Sequence, residues 1–252
     1  MYFISESSSN GVVERHFAID DITGVLWTPE TGSNDAPLIL SGHSGGMSKQ
    51  APGLVAHAQR LVASHGFSVA AIDAPGHGGR PRNERDQQWV DALRSARAKG
   101  PGLFDPIIAE YNTSLAERAV PEWQTTLDAL QALPEIGTEG PVGYGGTTLG
   151  TVVGLKLVAV EPRIAAAVFG PVLVFDALLE WAKQITVPVD FQVAWEDPEF
   201  NPHPSLNLFD ACASTDKALH VFPGRHGQTP RLAADGTDRF WTKHLSRAAA
   251  PA

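Results

Sequence analysis

Cysteine is almost absent from this chain. Cys212 is the only one in 252 residues, so no intramolecular disulfide can form and nothing in the sulfur content calls for an oxidising compartment. Set in the helical-looking run 206–214, it reads as a buried helix residue rather than a reactive thiol. Positive charge is also scarce: 19 Lys and Arg stand against 28 Asp and Glu, a net charge of -9. With no clustered basic patch, a surface for nucleic acid or anionic membrane is excluded. No apolar run is long enough to span a bilayer, and Met1-Tyr2-Phe3-Ile4-Ser5-Glu6 lacks the basic and apolar segments of a secretory signal. The expectation is a soluble, cytoplasmic protein whose partner is a small molecule. Nine histidines are present, yet none falls at H-E-x-x-H or a similar ligand spacing, so no metal site is expected.

What is abundant is alternation between short β-branched runs and longer helical patterns, the sequence form of βαβ units around a mostly parallel sheet. Eight strands are expected at 14–19, 24–28, 37–41, 68–73, 142–145, 165–169, 189–195 and 218–222, the first two as a hairpin across Asp20-Asp21. Helical patterns fill 51–65, 120–133, 149–160, 175–184, 206–214 and 237–245. The length suits one α/β domain, 1–252, with helices on both faces of the sheet. Residues 79–119 break the rhythm with many charges and the breaker Gly100-Pro101-Gly102. So long an excursion is expected to be a small cap over the site, with Trp89 and Phe104 against a substrate.

Chemistry concentrates in four places. Val142-Gly143-Tyr144-Gly145-Gly146-Thr147-Thr148-Leu149-Gly150 joins an apolar strand to an apolar helical run through a glycine-bracketed hydroxyl, the strand-turn-helix context in which G-x-S-x-G presents a nucleophile. Thr148 stands where that motif has serine. The turn demands positive φ, where a β-branched residue is an outlier, and threonine adds a stiff χ1 and a methyl beside the reactive oxygen.

Downstream, the strand 189–195 ends in Glu196-Asp197-Pro198-Glu199, and the glycine-flanked His226 follows the last strand in Phe222-Pro223-Gly224-Arg225-His226-Gly227. Nucleophile, orienting carboxylate and base are thus available as Thr148, Asp197 and His226. Gly42-His43-Ser44-Gly45-Gly46 follows the third strand, where backbone N–H groups meet a developing oxyanion; Ser44 or Gly45, with Leu149, are the expected donors, and His43 an expected substrate contact. Asp73-Ala74-Pro75-Gly76-His77-Gly78-Gly79 forms a tight loop in which His77 reads as structural.

Together these motifs resemble the α/β-hydrolase superfamily, in particular its small bacterial branch of dienelactone hydrolases and prolyl-oligopeptidase-like esterases. They span nearly the whole chain in the right order. The resemblance implies an eight-stranded α/β-hydrolase sheet, a pocket at the carboxyl ends of the strands, no cofactor, and ester, thioester or lactone hydrolysis through an acyl-enzyme. Because position 148 departs from the family pattern, four readings stay open. They are hydrolysis with a threonine nucleophile; lyase, cyclase or isomerase chemistry by His226 and Asp197 with Thr148 as a hydrogen-bonding group; a serine replaced to silence the enzyme; and a non-catalytic ligand receptor.

Overall fold

The computed structural model describes residues 1–31, 36–99 and 105–246. These build one sheet of nine strands: β1 (Tyr2–Ser9), β2 (Val12–Ile19), β3 (Ile22–Pro29), β4 (Leu38–Gly42), β5 (Ser68–Ile72), β6 (Val142–Gly146), β7 (Ile164–Phe169), β8 (Val189–Ala194) and β9 (Lys217–Phe222). Their spatial order is β1-β2-β3-β5-β4-β6-β7-β8-β9. The first three strands are antiparallel and β3 joins β5 antiparallel; from β5 to β9 every pairing is parallel. Seven helices connect them: α1 (Pro52–His65), α2 (Glu84–Lys99), α3 (Asp105–Gln131), α4 (Leu149–Val160), α5 (Asp176–Ala182), α6 (His203–Ala211) and α7 (Arg231–Leu245).

The two-residue period of the strands splits the core in two. Val25, Trp27, Ile39, Val69, Ala71, Ala166 and Val168 face α1 and α7, where they meet Leu61, Val62, Phe240 and Trp241. Their neighbours Leu26, Leu38, Leu40, Ala70, Ile72, Ala167 and Phe169 point to the other face, against α3, α4, α5 and α6. Strands buried on both sides need this continuous apolar character, because helices cover both faces of a parallel sheet.

Two differences from the sequence-based expectation stand out. The sheet has nine strands rather than eight: β1 was not expected because Tyr2–Ser9 is exposed along its whole length and so carries no alternation of apolar and polar residues. The helix expected at 120–133 begins at Asp105 and carries Pro121 in its interior. A proline suits the first turn of a helix, which is why the pattern reads as starting there. Within 79–119, α2 lays Trp89, Val90 and Leu93 against the larger core. Phe104 and the Gly100-Pro101-Gly102 breaker lie outside the described residues.

The chain leaving β4 is pinned from below. His43 is 4% exposed, and its ring nitrogens are both engaged inside the protein. Nε2 accepts the Ala74 N–H at 3.0 Å, and Nδ1–H donates to the Ser44 carbonyl at 2.9 Å. This corrects the expected substrate contact: the imidazole bridges two backbone groups instead of reaching a ligand. Burial pushes its pKa down to about 4. His77 is also buried, with Nδ1 on the Pro75 carbonyl at 3.0 Å.

The His43 geometry requires a neutral ring, whereas the unfolded chain takes up the proton near the ordinary histidine value of 6.5. Stability tied to this residue is therefore complete above pH 6.5, falls as pH drops toward 4, and changes no further below that. The difference is about 3 kcal/mol. Urea denaturation at pH 7, 6, 5 and 4 is expected to show a shallower acid-side loss for His43→Gln than for the wild type. Parallel curves would place the acid sensitivity elsewhere.

Candidate active site

The turn between β6 and α4 places Thr148 at φ 50° and ψ -110°. Asn10 and Asp20, the other non-glycine residues described with positive φ, are of the types that tolerate it in turns; Thr148 is β-branched. Such a conformation costs about 1–3 kcal/mol and persists only where the surroundings impose it. Here they do. The Thr148 N–H donates to the Pro171 carbonyl at 3.0 Å, and the Gly170 N–H to the Gly146 carbonyl at 2.8 Å. The Thr151 hydroxyl lies 2.9 Å from the carbonyls of both Gly146 and Gly170, and the Tyr144 hydroxyl donates to the Gly150 carbonyl at 2.8 Å.

Close backbone contact makes the turn possible. A Cβ on Gly146 would fall 2.5 Å from the Gly150 carbonyl carbon, and one on Gly150 would fall 2.4 Å from the Gly42 carbonyl oxygen. Thr147 packs toward Gly170, whose added Cβ would meet it at 2.8 Å. Thr148 is half-buried, and its hydroxyl accepts the Gly45 N–H at 3.1 Å. Gly45, one of the expected oxyanion donors, therefore points at the candidate nucleophile itself. Leu149, the other, is the first residue of α4. Ser44 is half-buried beside Gly45, and its carbonyl is taken by His43.

The acid and base come together from the far strands. Asp197 lies just past β8 and His226 past β9, and the Trp195 N–H ties the two strand ends through the Phe222 carbonyl at 2.8 Å. His226 Nδ1 is 2.6 Å from Asp197 Oδ2, so Nδ1 carries the proton and Nε2 is left as the basic nitrogen. The same oxygen takes the His226 N–H, while Oδ1 accepts from Glu199 N–H at 2.8 Å and Phe200 N–H at 3.1 Å. Burial pushes the Asp197 pKa up. The backbone N–H bonds and the His226 ring outweigh it and hold the carboxyl below its usual range. Phe200 flanks the imidazole with ring centroids 4.5 Å apart. Neighbouring Glu196 is exposed, and Glu199 reaches Arg97 at 3.3 Å instead.

The parallel run from β4 to β9 puts Gly45, Thr148, Asp197 and His226 at one carboxyl edge of the sheet, where open α/β sheets bind ligands. Among the described residues no hydrogen bond links His226 to Thr148. Trp89 is turned to other work: it stacks on Tyr111 at 5.8 Å, and the Arg85 guanidinium lies 5.6 Å from its ring centroid. It lines an open groove of about 590 Å³ with Glu110, Phe175 and Asp176, to which neither Thr148 nor His226 contributes. Among the described residues, no three His, Cys, Asp or Glu side chains gather to hold a metal, and no helix is long and apolar enough to cross a membrane.

The pairing of two groups escaped the sequence: Asp73, fully enclosed after β5, and the partly buried Lys49, whose side chain reaches it. An acid directly after an apolar strand is a signal, but a common one at turns.

Neither a scan against protein-family models nor a search of the curated proteins finds a match. Solved structures do match. A cold-adapted esterase from an Arctic intertidal metagenomic library shares 27% identity over 98% of this chain and 100% of its own, with a TM-score of 0.78. The acetyl xylan esterase from Paenibacillus sp. R4 superposes over 97% of this chain and 88% of its own, with a TM-score of 0.69 at 13% identity. Est1E from Butyrivibrio proteoclasticus, solved with ferulic acid, covers 96% of this chain and 100% of its own, with a TM-score of 0.66 at 13% identity. The fold of this chain is that of the α/β-hydrolase esterases.

Proposed function

We propose that the protein hydrolyses an ester, thioester or lactone of a small, fairly apolar molecule, with Thr148 as nucleophile, His226 as base and Asp197 as its orienting acid. The observation that carries this reading is the Asp197–His226 pair at 2.6 Å, set on the same sheet edge as a hydroxyl held at positive φ. The esterases among the structural neighbours add to it.

His226 Nε2 would take the Thr148 proton as Oγ1 attacks the substrate carbonyl, and the ionised Asp197 would stabilise the resulting imidazolium. The oxyanion would take the Gly45 and Leu149 N–H groups. Gly45 now serves the Thr148 hydroxyl, so a substrate oxygen competes for that donor and frees the hydroxyl to turn toward His226. His226 then protonates the departing alcohol, and water repeats the attack on the acyl-enzyme. The segment 79–119 would act as the cap, which places specificity in α2 and the start of α3.

One observation favours a second reading, non-hydrolytic acid/base chemistry by His226 and Asp197: the Thr148 hydroxyl is bonded to Gly45, and no hydrogen bond among the described residues joins it to the base.

With p-nitrophenyl acetate, Thr148→Ser is expected to raise kcat at least about tenfold, because serine attacks without the methyl and with freer χ1. Thr148→Ala is expected to abolish turnover and fluorophosphonate labelling. Substrate turnover that persists in Thr148→Ala but disappears in His226→Ala would replace nucleophilic attack by the second reading. Asp197→Asn is expected to lower kcat about 10²- to 10⁴-fold with a small effect on KM, since it disturbs the tautomer and the imidazolium but no substrate contact. A loss confined to KM would remove Asp197 from the catalytic assignment.

A further inference from the structure

We propose that Asp73, acting through Lys49, is a positioning residue that holds the Gly45 N–H in place for the oxyanion; this rests on the ester-hydrolase reading above. Residues 43–49 form an arch over the sheet edge. At its first foot His43 grips the Ala74 N–H at 3.0 Å. At its second foot the Lys49 N–H donates to Asp73 Oδ1 at 2.9 Å, and Lys49 Nζ donates to Asp73 Oδ2. The two feet thus stand on consecutive residues, 73 and 74, at the end of a single buried strand.

Between them, Gly45, Gly46 and Met47 are exposed, with the Met47 N–H to Ser44 carbonyl bond at 3.1 Å as the turn inside the arch. Packing therefore does little to fix the middle of the arch, and its anchors must. The Gly45 N–H, 3.1 Å from the Thr148 hydroxyl, sits at the crown.

Asp73 is built for this grip. It is fully buried, and besides Lys49 it takes the Thr23 hydroxyl at 3.2 Å and the Gly79 N–H at 3.2 Å. Lys49 Nζ also reaches the Thr23 hydroxyl at 3.0 Å. The carboxylate occupies space that only glycine leaves free: a Cβ on Gly78, at φ +58°, would lie 2.3 Å from Asp73 Cγ. A buried ion pair adds little net stability over an apolar replacement, so its value lies in geometry. Two donors from one residue, backbone and side chain, lock that residue against one carboxylate.

The test compares Asp73→Asn with Glu161→Gln, a buried acid paired to Arg163 at 2.7 and 2.8 Å and outside both the arch and the cap. On p-nitrophenyl acetate, Asp73→Asn is expected to lose about 10- to 100-fold in kcat with KM within threefold, and the fluorophosphonate labelling rate is expected to fall in parallel. Glu161→Gln is expected to lose thermal stability but keep kcat within about twofold of the wild type. Equal kcat losses in the two variants, or none in Asp73→Asn, would overturn the proposal. Should Asp73→Asn not fold, Lys49→Met, which keeps the backbone bond, is expected to give about a tenfold loss by the same measure, and wild-type kcat there would count against the clamp. Amide exchange at Gly45 reads the clamp without any activity: it is expected to accelerate in Asp73→Asn while that of α4 stays unchanged. A wild type that turns over no ester and takes no label would defeat the hydrolase reading, whereas unaltered Gly45 exchange would defeat the clamp.

Discussion

How closely α4 can approach β4 and β6 governs the rest of the site. Gly42, Gly146 and Gly150 touch through bare backbone, and side chains on Gly146 and Gly150 would need room already taken by neighbouring main-chain atoms. That contact forces the chain to reverse within two residues, and the reversal puts Thr148 at positive φ with its hydroxyl lifted toward the arch. Loosening it would let the turn relax into an ordinary helix start. The hydroxyl would then have no reason to face Gly45.

The second organising influence is electrostatic, and two carboxylates paired with histidine separate its parts. Asp190 lies 2.7 Å from His220 and Asp197 lies 2.6 Å from His226, nearly the same contact. Their ionisation moves in opposite directions. Burial dominates at Asp190 and pushes its pKa up, and Oδ2 has no partner among the described residues. At Asp197 burial is outweighed, because three backbone N–H groups converge on the carboxylate in addition to the ring. The loop 197–200, wrapped around its own acid, is what favours the ionised form of that residue beside an imidazole.

Much of this was legible in the sequence because it is written locally. Strands β4, β5, β7 and β8 announce themselves by apolar runs between turn residues, and the glycine spacing around Thr148 names the turn it forms. Asp197 and His226 follow strands, so a parallel sheet brings them to one edge without any knowledge of the loops. What escaped is set by contacts between distant positions. The partner of Asp73 is 24 residues away, with no pattern to connect them. His43 resembles a ligand-facing residue in its glycine-rich setting, and only the nearness of Ala74 reveals that its ring is spent on the backbone. β1 is held by its ladder to β2 and by surface contacts such as Arg15 with Glu6, which side-chain periodicity does not register.

The burial of α4 carries a kinetic consequence. From Leu149 to Leu155 every residue is buried, so no face of the helix can open to water while the sheet beside it stays packed. The amides of this buried first half are expected to exchange slowly, through openings close to global unfolding. The turn at Thr148 is thus fastened to a buried helix, while the crown of the arch above it, Gly45 to Met47, is open to water. Partial denaturation would therefore release the Gly45 donor first, leaving the hydroxyl and the Leu149 N–H presented by a helix that has not yet begun to unfold.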